Sequence, residues 1–250
     1  MEDYAHAEGE ETIAKGYGAH SEGEYTIALN DAAHSEGGGW VKQFKLTGSD
    51  YEYELTSGSF NYLFIGAVVV YNNLITKIED IDAENELFYT EDDLGELENV
   101  EVTIFLGGIA SDYTSHAEGD SCNALAWASH AEGNSTTASG SGAAHAEGSC
   151  TYSLGYASHA EGSDNIAAEF ADHAEGSTTV AAGGASHAEG DSSMAFGYAS
   201  HAEHESIAIG PYSHAEGSCT VAFGDYSHAE GEGYFIYTQS EIVKISSNIY

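Results

Sequence analysis

Histidine and glutamate recur two residues apart at twelve places in this 250-residue chain. The pairs are His6 with Glu8, His20 with Glu22, His34 with Glu36, His116 with Glu118, His130 with Glu132, His145 with Glu147, His159 with Glu161, His173 with Glu175, His187 with Glu189, His201 with Glu203, His214 with Glu216 and His228 with Glu230. On an extended strand, residues two apart face the same way, so each pair sets an imidazole beside a carboxylate. Three kinds of chemistry use such a pair. A general acid–base dyad needs one imidazole and one carboxylate within hydrogen-bond reach. A metal site needs three or four convergent ligands, and neutral imidazole and carboxylate are good ones. A structural ladder needs the same contact in every repeat. Twelve near-identical copies argue against catalysis, because a reaction centre has distinct neighbours and a repeat does not. No single unit supplies the ligands of a metal site, so bound cations would require several chains together; no catalytic, cofactor or metal residue is assigned. The pairs read as a structural His–Glu hydrogen-bond ladder, with interleaved imidazoles relieving repulsion between glutamates stacked about 4.8 Å apart. A carboxylate beside each histidine predicts a raised imidazole pKa and greater stability in mildly acidic than in alkaline solution.

The spacing of the pairs dictates the elements that hold them. Successive histidines are 14 residues apart, except for 15 from His130 to His145, 13 from His201 to His214 and 82 from His34 to His116. His204 stands where the tenth copy should have its closing glycine. Seven residues after each Ser-His-Ala-Glu-Gly form comes a looser small-x-Ala-x-Gly form, as in Thr12-Ile13-Ala14-Lys15-Gly16 and Ser206-Ile207-Ala208-Ile209-Gly210. Period-two alternation closed by glycine describes a short strand and a tight turn. A helix is excluded, since a helix-interior glycine costs about 1 kcal/mol relative to alanine. Two strands per 14-residue coil give a parallel β-solenoid. Only small side chains fit inside so thin a coil, which sends the alternate residues outward. One face then carries His and Glu. The other carries Ile13, Ile27 with Leu29, Leu125, Tyr152 with Leu154, Ile166, Val180, Met194 with Phe196, Ile207 with Ile209, and Val221 with Phe223. So long an apolar stripe must be covered. A parallel homo-oligomer with Leu125, Leu154, Ile166, Val180, Met194, Phe196, Ile207, Ile209, Val221 and Phe223 in its shared core is the expected solution.

Residues 38–114 break the period between N-terminal coils (1–37) and main coils (115–233). Strands are expected around Trp40 to Leu46, Tyr51 to Leu55, Phe60 to Tyr71, Leu74 to Ile81, Leu87 to Thr90 and Val100 to Leu106, separated by turns such as Gly48-Ser49-Asp50 and Asn72-Asn73. They predict an inserted antiparallel β domain that leaves and re-enters the coils at one place, projects sideways and is dispensable for them. Its twelve aromatics read as core first, with a binding surface on this excursion as the second use. The tail, 234–250, alternates at Ile242, Lys244 and Ser246 and is expected to form a terminal strand or cap.

Composition narrows the partners. A formal charge of -37, from 42 acidic residues against five lysines and no arginine, argues against nucleic acid and anionic membranes. The longest apolar run, Leu63 to Tyr71, is too short to span a bilayer. Met1-Glu2-Asp3-Tyr4 shows no signal-peptide pattern, so synthesis in a cytoplasm and release by lysis is expected. Cys122, Cys150 and Cys219 fall at least two coils apart and are expected as free thiols.

Ser206-Ile207-Ala208-Ile209-Gly210, in a 14-residue repeat with a companion strand, resembles the head repeat of trimeric autotransporter adhesins, the YadA-like left-handed β-roll. The Ser-His-Ala-Glu-Gly form resembles repeats of bacteriophage fibre and appendage proteins. The resemblance covers residues 5–37 and 114–231. It implies an all-β, left-handed parallel β-roll, a homotrimer, a rigid spacer and surface attachment. The resulting expectation is a non-enzymatic phage-type tail or head fibre at the virion or an extracellular surface. Its partners would be itself, other virion components and a host surface glycan or protein met through the insert. A fibre-borne polysaccharide-degrading enzyme and a self-polymerising filament subunit are the alternatives.

Overall fold

A computed structural model describes residues 4–238 and 241–246. The chain divides into two units, Met1–Leu125 and Ala126–Tyr250. Both are built of β-strands, and among the described residues no helix is long and apolar enough to cross a membrane.

In the first unit the strands His6–Glu10, His20–Glu24, His34–Gly38 and His116–Asp120 pair in parallel, in that order, with histidine opposite histidine and glutamate opposite glutamate. The pairing of His34 with His116 carries the register across the long gap without a slip. Companion strands Ile13–Ala14, Ile27–Ala28, Ile109–Ala110 and Asn123–Ala124 form a second parallel sheet. Ile109–Ala110 lies inside the stretch whose period is broken, yet it pairs with Ile27–Ala28 as a regular companion strand.

Between these coils, six antiparallel strands close into a barrel in the order Leu87–Thr90, Glu52–Ser57, Trp40–Ser49, Leu97–Gly107, Val68–Tyr71 and Leu74–Asp82. Its interior holds Phe44, Leu46, Tyr53, Val69, Ile78, Phe88, Val102 and Ile104, all fully or almost fully buried. The expected strand from Phe60 to Tyr71 is shorter than the apolar run suggests: Phe60–Tyr62 is a 3-10 turn and only Val68–Tyr71 joins the sheet. Gly66, at φ 99°, turns the chain in a conformation that side chains disfavour. A Cβ there would also come within 2.9 Å of Leu125 Cδ1, so its absence lets that leucine pack in.

The barrel's outer face covers the apolar stripe of the coils beside it. Ile27, Leu29 and Ile109 are buried against Val68 and Phe105, with Ile13, Leu125, Val41, Phe64, Val70 and Ile75 packed around them. This corrects the expectation that only another chain covers the stripe. In the first unit the chain covers it itself, and Leu125, expected in an oligomer core, belongs to this cluster.

The second unit repeats the coil without interruption. Its His-centred strands are His130–Asn134, His145–Ser149, His159–Ser163, His173–Ser177, His187–Asp191, His201–Glu203, His214–Glu216 and His228–Glu230. Companion strands run from Thr137–Ala138 through Tyr152–Ser153, Ile166–Ala167, Val180–Ala181, Met194–Ala195 and Ile207–Ala208 to Val221–Ala222. Between the sheets lies a column of alanines, two per coil, from Ala160 to Ala229, each 6% exposed or less. Alanine buries no polar group and fills the narrow space without strain. Some buried hydroxyls are paired: Ser153 and Ser158 share a 2.7 Å hydrogen bond, and Ser186 donates to Asp172 of the coil before from both its amide and its hydroxyl. The hydroxyls of Thr179, Ser200 and Ser213 have no partner among the described residues.

The glycine that closes each Ser-His-Ala-Glu-Gly motif takes positive φ; at Gly162 (φ 108°) an added Cβ would strike the carbonyl oxygen of Gly176 in the next coil. Where His204 replaces that glycine, the strand stops at Glu203 and both His204 and Glu205 take left-handed φ values of 56° and 57°. Strands Gly233–Thr238 and Glu241–Ser246 pair antiparallel. Residues 239–240 and 247–250 of the expected terminal strand, and residues 1–3, lie outside the described residues.

Candidate functional site

Parallel, in-register pairing puts each side chain above its own copy in the next coil. The imidazoles therefore form one column and the carboxylates another, instead of interleaving. In the second unit consecutive rings stack face to face from His130 to His214, with centroids 4.7–4.9 Å apart and planes within 4°. In the first unit His20 stacks on His34 at 4.8 Å and His34 on His116 at 4.6 Å, while His6 meets His20 at a tilt of 31°. At the far end His228 stacks on His214 at 4.9 Å.

The imidazoles reach toward the carboxylate of their own coil, of the coil before, or, at His173 and His228, of both. His173 Nε2 lies 3.9 Å from both Glu161 and Glu175. His187 lies 3.8 Å from Glu175, and His201 lies 3.5 Å from Glu189. His6, His20, His130 and His145 approach Glu8, Glu22, Glu132 and Glu147 of their own coils at 3.4–3.8 Å. His34 approaches Glu36 at 3.2 Å and His116 approaches Glu118 at 3.8 Å. His228 lies 3.8 Å from Glu216 and 3.9 Å from Glu230. At 2.9 Å, His214 Nε2 and Glu203 Oε1 make a hydrogen bond. Most of the other spacings are longer than a hydrogen bond allows. The Nε2 atoms of His145, His159, His173, His187 and His201 are shielded from water with no hydrogen-bond partner. The expected hydrogen-bond ladder is thus, through most of the column, a ladder of close but unbonded imidazole and carboxylate groups.

The electrostatics follow the stacking. Burial, and then the neighbouring imidazoles, hold the pKa values of His34, His145, His159 and His187 below the ordinary histidine value, and the glutamates only partly offset this. At these four histidines the expectation of raised values is reversed, first by burial and then by the like charge of stacked imidazoles. Glu147 is pushed up, first by sharing a proton with Glu161 and then by burial. Glu203 is lowered by its hydrogen bond from His214. Beside the column runs an open groove of 640 Å³ lined by Glu132, Glu147, Glu161, Glu175 and Glu189, the strand-end glycines and His204.

On the companion face of the second unit, Leu154, Phe196, Ile209 and Phe223 are 44%, 45%, 37% and 63% exposed. Ile166, Val180, Met194, Ile207 and Val221 form a half-buried register column beside them. A second exposed row escaped the sequence reading: Trp127, Tyr156, Phe170, Tyr198, Tyr212 and Tyr226 stand at the turn before six of the eight His-centred strands of the second unit. Tyr212 stacks on Tyr226 at 5.0 Å, and Tyr156 on Phe170 at 5.9 Å. The signal was present as an aromatic two or three residues before the histidine, in Gly155-Tyr156-Ala157-Ser158-His159 and Pro211-Tyr212-Ser213-His214. On the barrel, Trp40 and Tyr62 meet edge to face at 5.3 Å and Lys42 Nζ sits 3.7 Å over the Tyr62 ring. Cys122 is buried, Cys150 half-buried and Cys219 exposed, all as free thiols.

Residues 7–29, 174–200 and 204–227 match the family model of the YadA head domain repeat. No curated protein and no solved structure matches the chain. The matched segments fall on coils of both units, each with its pair of parallel strands. The chain carries YadA head domain repeats, and its parallel coils fit the head β-roll of YadA-like adhesins.

Proposed function

We propose that this chain is a non-enzymatic segment of a homotrimeric surface fibre, serving as spacer and attachment element. One contrast carries the reading. The outward apolar stripe is buried by the barrel in the first unit, where Leu29 is 8% exposed, and uncovered in the second, where Phe223 at the same repeat position is 63% exposed. A stripe of this length on a thin alanine-filled coil favours burial between copies. Leu154, Ile166, Val180, Met194, Phe196, Ile207, Ile209, Val221 and Phe223 are the proposed core of that interface. Light scattering on the purified protein at micromolar concentration is expected to give the mass of three chains; a monomer mass would overturn the reading.

The attachment role is assigned to the barrel. Trp40 and Tyr62 are each 43% exposed and held against one another with Lys42, a rigid aromatic surface of the kind that packs on sugar faces. Trp40→Ala is expected to lower binding to host-surface glycans at least tenfold on an array, with the trimer mass unchanged. The narrower proposal of a bacteriophage-type appendage rests on the Ser-His-Ala-Glu-Gly form of the repeat. Antibody labelling of purified phage particles against bacterial surfaces would separate the two locations.

A further inference from the structure

We propose that neighbouring coils of the second unit form a series of two-histidine, one-carboxylate sites for divalent transition-metal ions of the zinc class. No single coil holds three ligands, but stacking brings a second imidazole from the next coil. His173, Glu175 and His187 place one ligand atom each within 4.8 Å of one another, as do His130, Glu132 and His145; His187, Glu189 and His201; and His201, Glu203 and His214.

The spacing suits an ion better than a proton. His187 Nε2 stands 3.8 Å and His173 Nε2 3.9 Å from Glu175, beyond hydrogen-bond reach. Ligands about 2.0–2.1 Å from a zinc ion stand about 3.3 Å apart at the tetrahedral angle, so each carboxylate needs about half an ångström of closure. The rings of His173 and His187, stacked 4.7 Å apart in parallel planes, must tilt their Nε2 atoms toward one another by more than about 1 Å. The Nε2 atoms of His145, His173, His187 and His201 are shielded from water and lack a hydrogen-bond partner, a costly arrangement that coordination would relieve. The glutamate column has no protein counter-charge nearby in sequence, because no lysine or arginine occurs between Lys77 and Lys244.

Ligand chemistry selects the ion. Imidazole suits zinc, copper and nickel, whereas calcium and magnesium take oxygen ligands. Each Nε2 has one lone pair, so sites sharing His187 or His201 exclude one another. Of the four clusters, three can therefore fill together: those of His130 and His145, of His173 and His187, and of His201 and His214. The last must first break the 2.9 Å His214–Glu203 hydrogen bond, so it should fill last. Three protein ligands leave a position on each ion for water. All the ligands come from one chain, so the sites do not require the trimer.

The test uses the full-length, tag-free protein stripped with chelator. It is dialysed against micromolar zinc chloride with millimolar magnesium and calcium present, and bound metal is measured by mass spectrometry. At least two zinc ions per chain are expected, with one fewer for His187→Ala. Fewer than one ion, or full displacement of zinc by calcium, would overturn the proposal. As the variant may disturb the stack, nitrogen NMR of the wild-type imidazoles provides a second readout. Zinc should shift the Nε2 resonances of His173 and His187, and unchanged resonances at saturating zinc would also overturn it. Light scattering on the same samples reports assembly separately, so a monomer that binds zinc would sink the trimer alone.

Discussion

Stacked imidazoles behave differently from separate His–Glu pairs, although the residues are the same. The spacing of His and Glu made the in-register coils and the stacked glutamates legible in the sequence, but the imidazoles were expected to interleave with the carboxylates and instead stack on one another. Which neighbour dominates each imidazole was not legible. That depends on whether a 4.8 Å stacked ring or a 3.8 Å carboxylate prevails at His145, and on how much water reaches between them. The sign of the pH dependence turns on this balance. His34, His145, His159 and His187 have folded pKa values below the unfolded one, so unfolded chains take up protons that the folded chain resists. Their stabilising contribution is present above the unfolded value, about 6.5, and is lost as pH falls through the folded values. Glu147, raised by Glu161, acts in the opposite sense, losing its contribution as pH rises from the unfolded carboxylate value through its folded one. Four histidines act against this one glutamate. With chelator present and salt fixed, the melting temperature should be higher at pH 7.5 than at pH 6.0. A higher value at pH 6.0 would return the column to charged His–Glu pairing.

At the scale of elements, the coils were legible and the contacts between coil and barrel were not. Alternation and glycine spacing define the short strands locally, whereas Ile27 and Phe105 stand far apart in sequence and leave no periodic mark when they meet. The companion strand Ile109–Ala110 was hidden for a related reason: the barrel separates it from His34–Gly38, so no histidine stands six or seven residues before it as before its fellows. Barrel strands were recognisable from their β-branched and aromatic runs, except where Gly66 bends an apolar run out of the sheet. These contacts change what removal of the barrel should do. Joining residue 39 to residue 108 by a short glycine linker would uncover Ile27, Leu29 and Ile109, so the shortened chain should melt lower and bind more of a hydrophobic dye. An unchanged melting temperature would show that the coils do not depend on this cover. Ile27→Ala in the intact chain should cost about 2–5 kcal/mol in denaturant titration, the range for emptying a buried aliphatic site.

For the whole molecule, one repeat position experiences two environments, and that difference separates folding from assembly. Ile27 and Ile207 each open a two-residue companion strand followed by a buried alanine, Ala28 or Ala208. Ile27 is sealed by the barrel; Ile207 lies half-buried beside the exposed Ile209 with no cover from the described residues. A charge at Ile27 is placed in an apolar interior, where an unpaired carboxylate is strongly unfavourable. A charge at Ile207 enters water in a single chain and an apolar interior only in an assembly. Ile27→Asp should therefore lower the melting temperature at any concentration. The double change of Ile207→Asp and Ile209→Asp should leave the circular dichroism of a single chain β-rich while lowering the mass in light scattering from three chains to one. If the double variant keeps the wild-type mass, the companion face is not the interface, and the row of Tyr198, Tyr212 and Tyr226 becomes the surface to mutate next. Loss of β-structure in the double variant at every concentration would mean that Ile207 supports the coil itself, as Ile27 does.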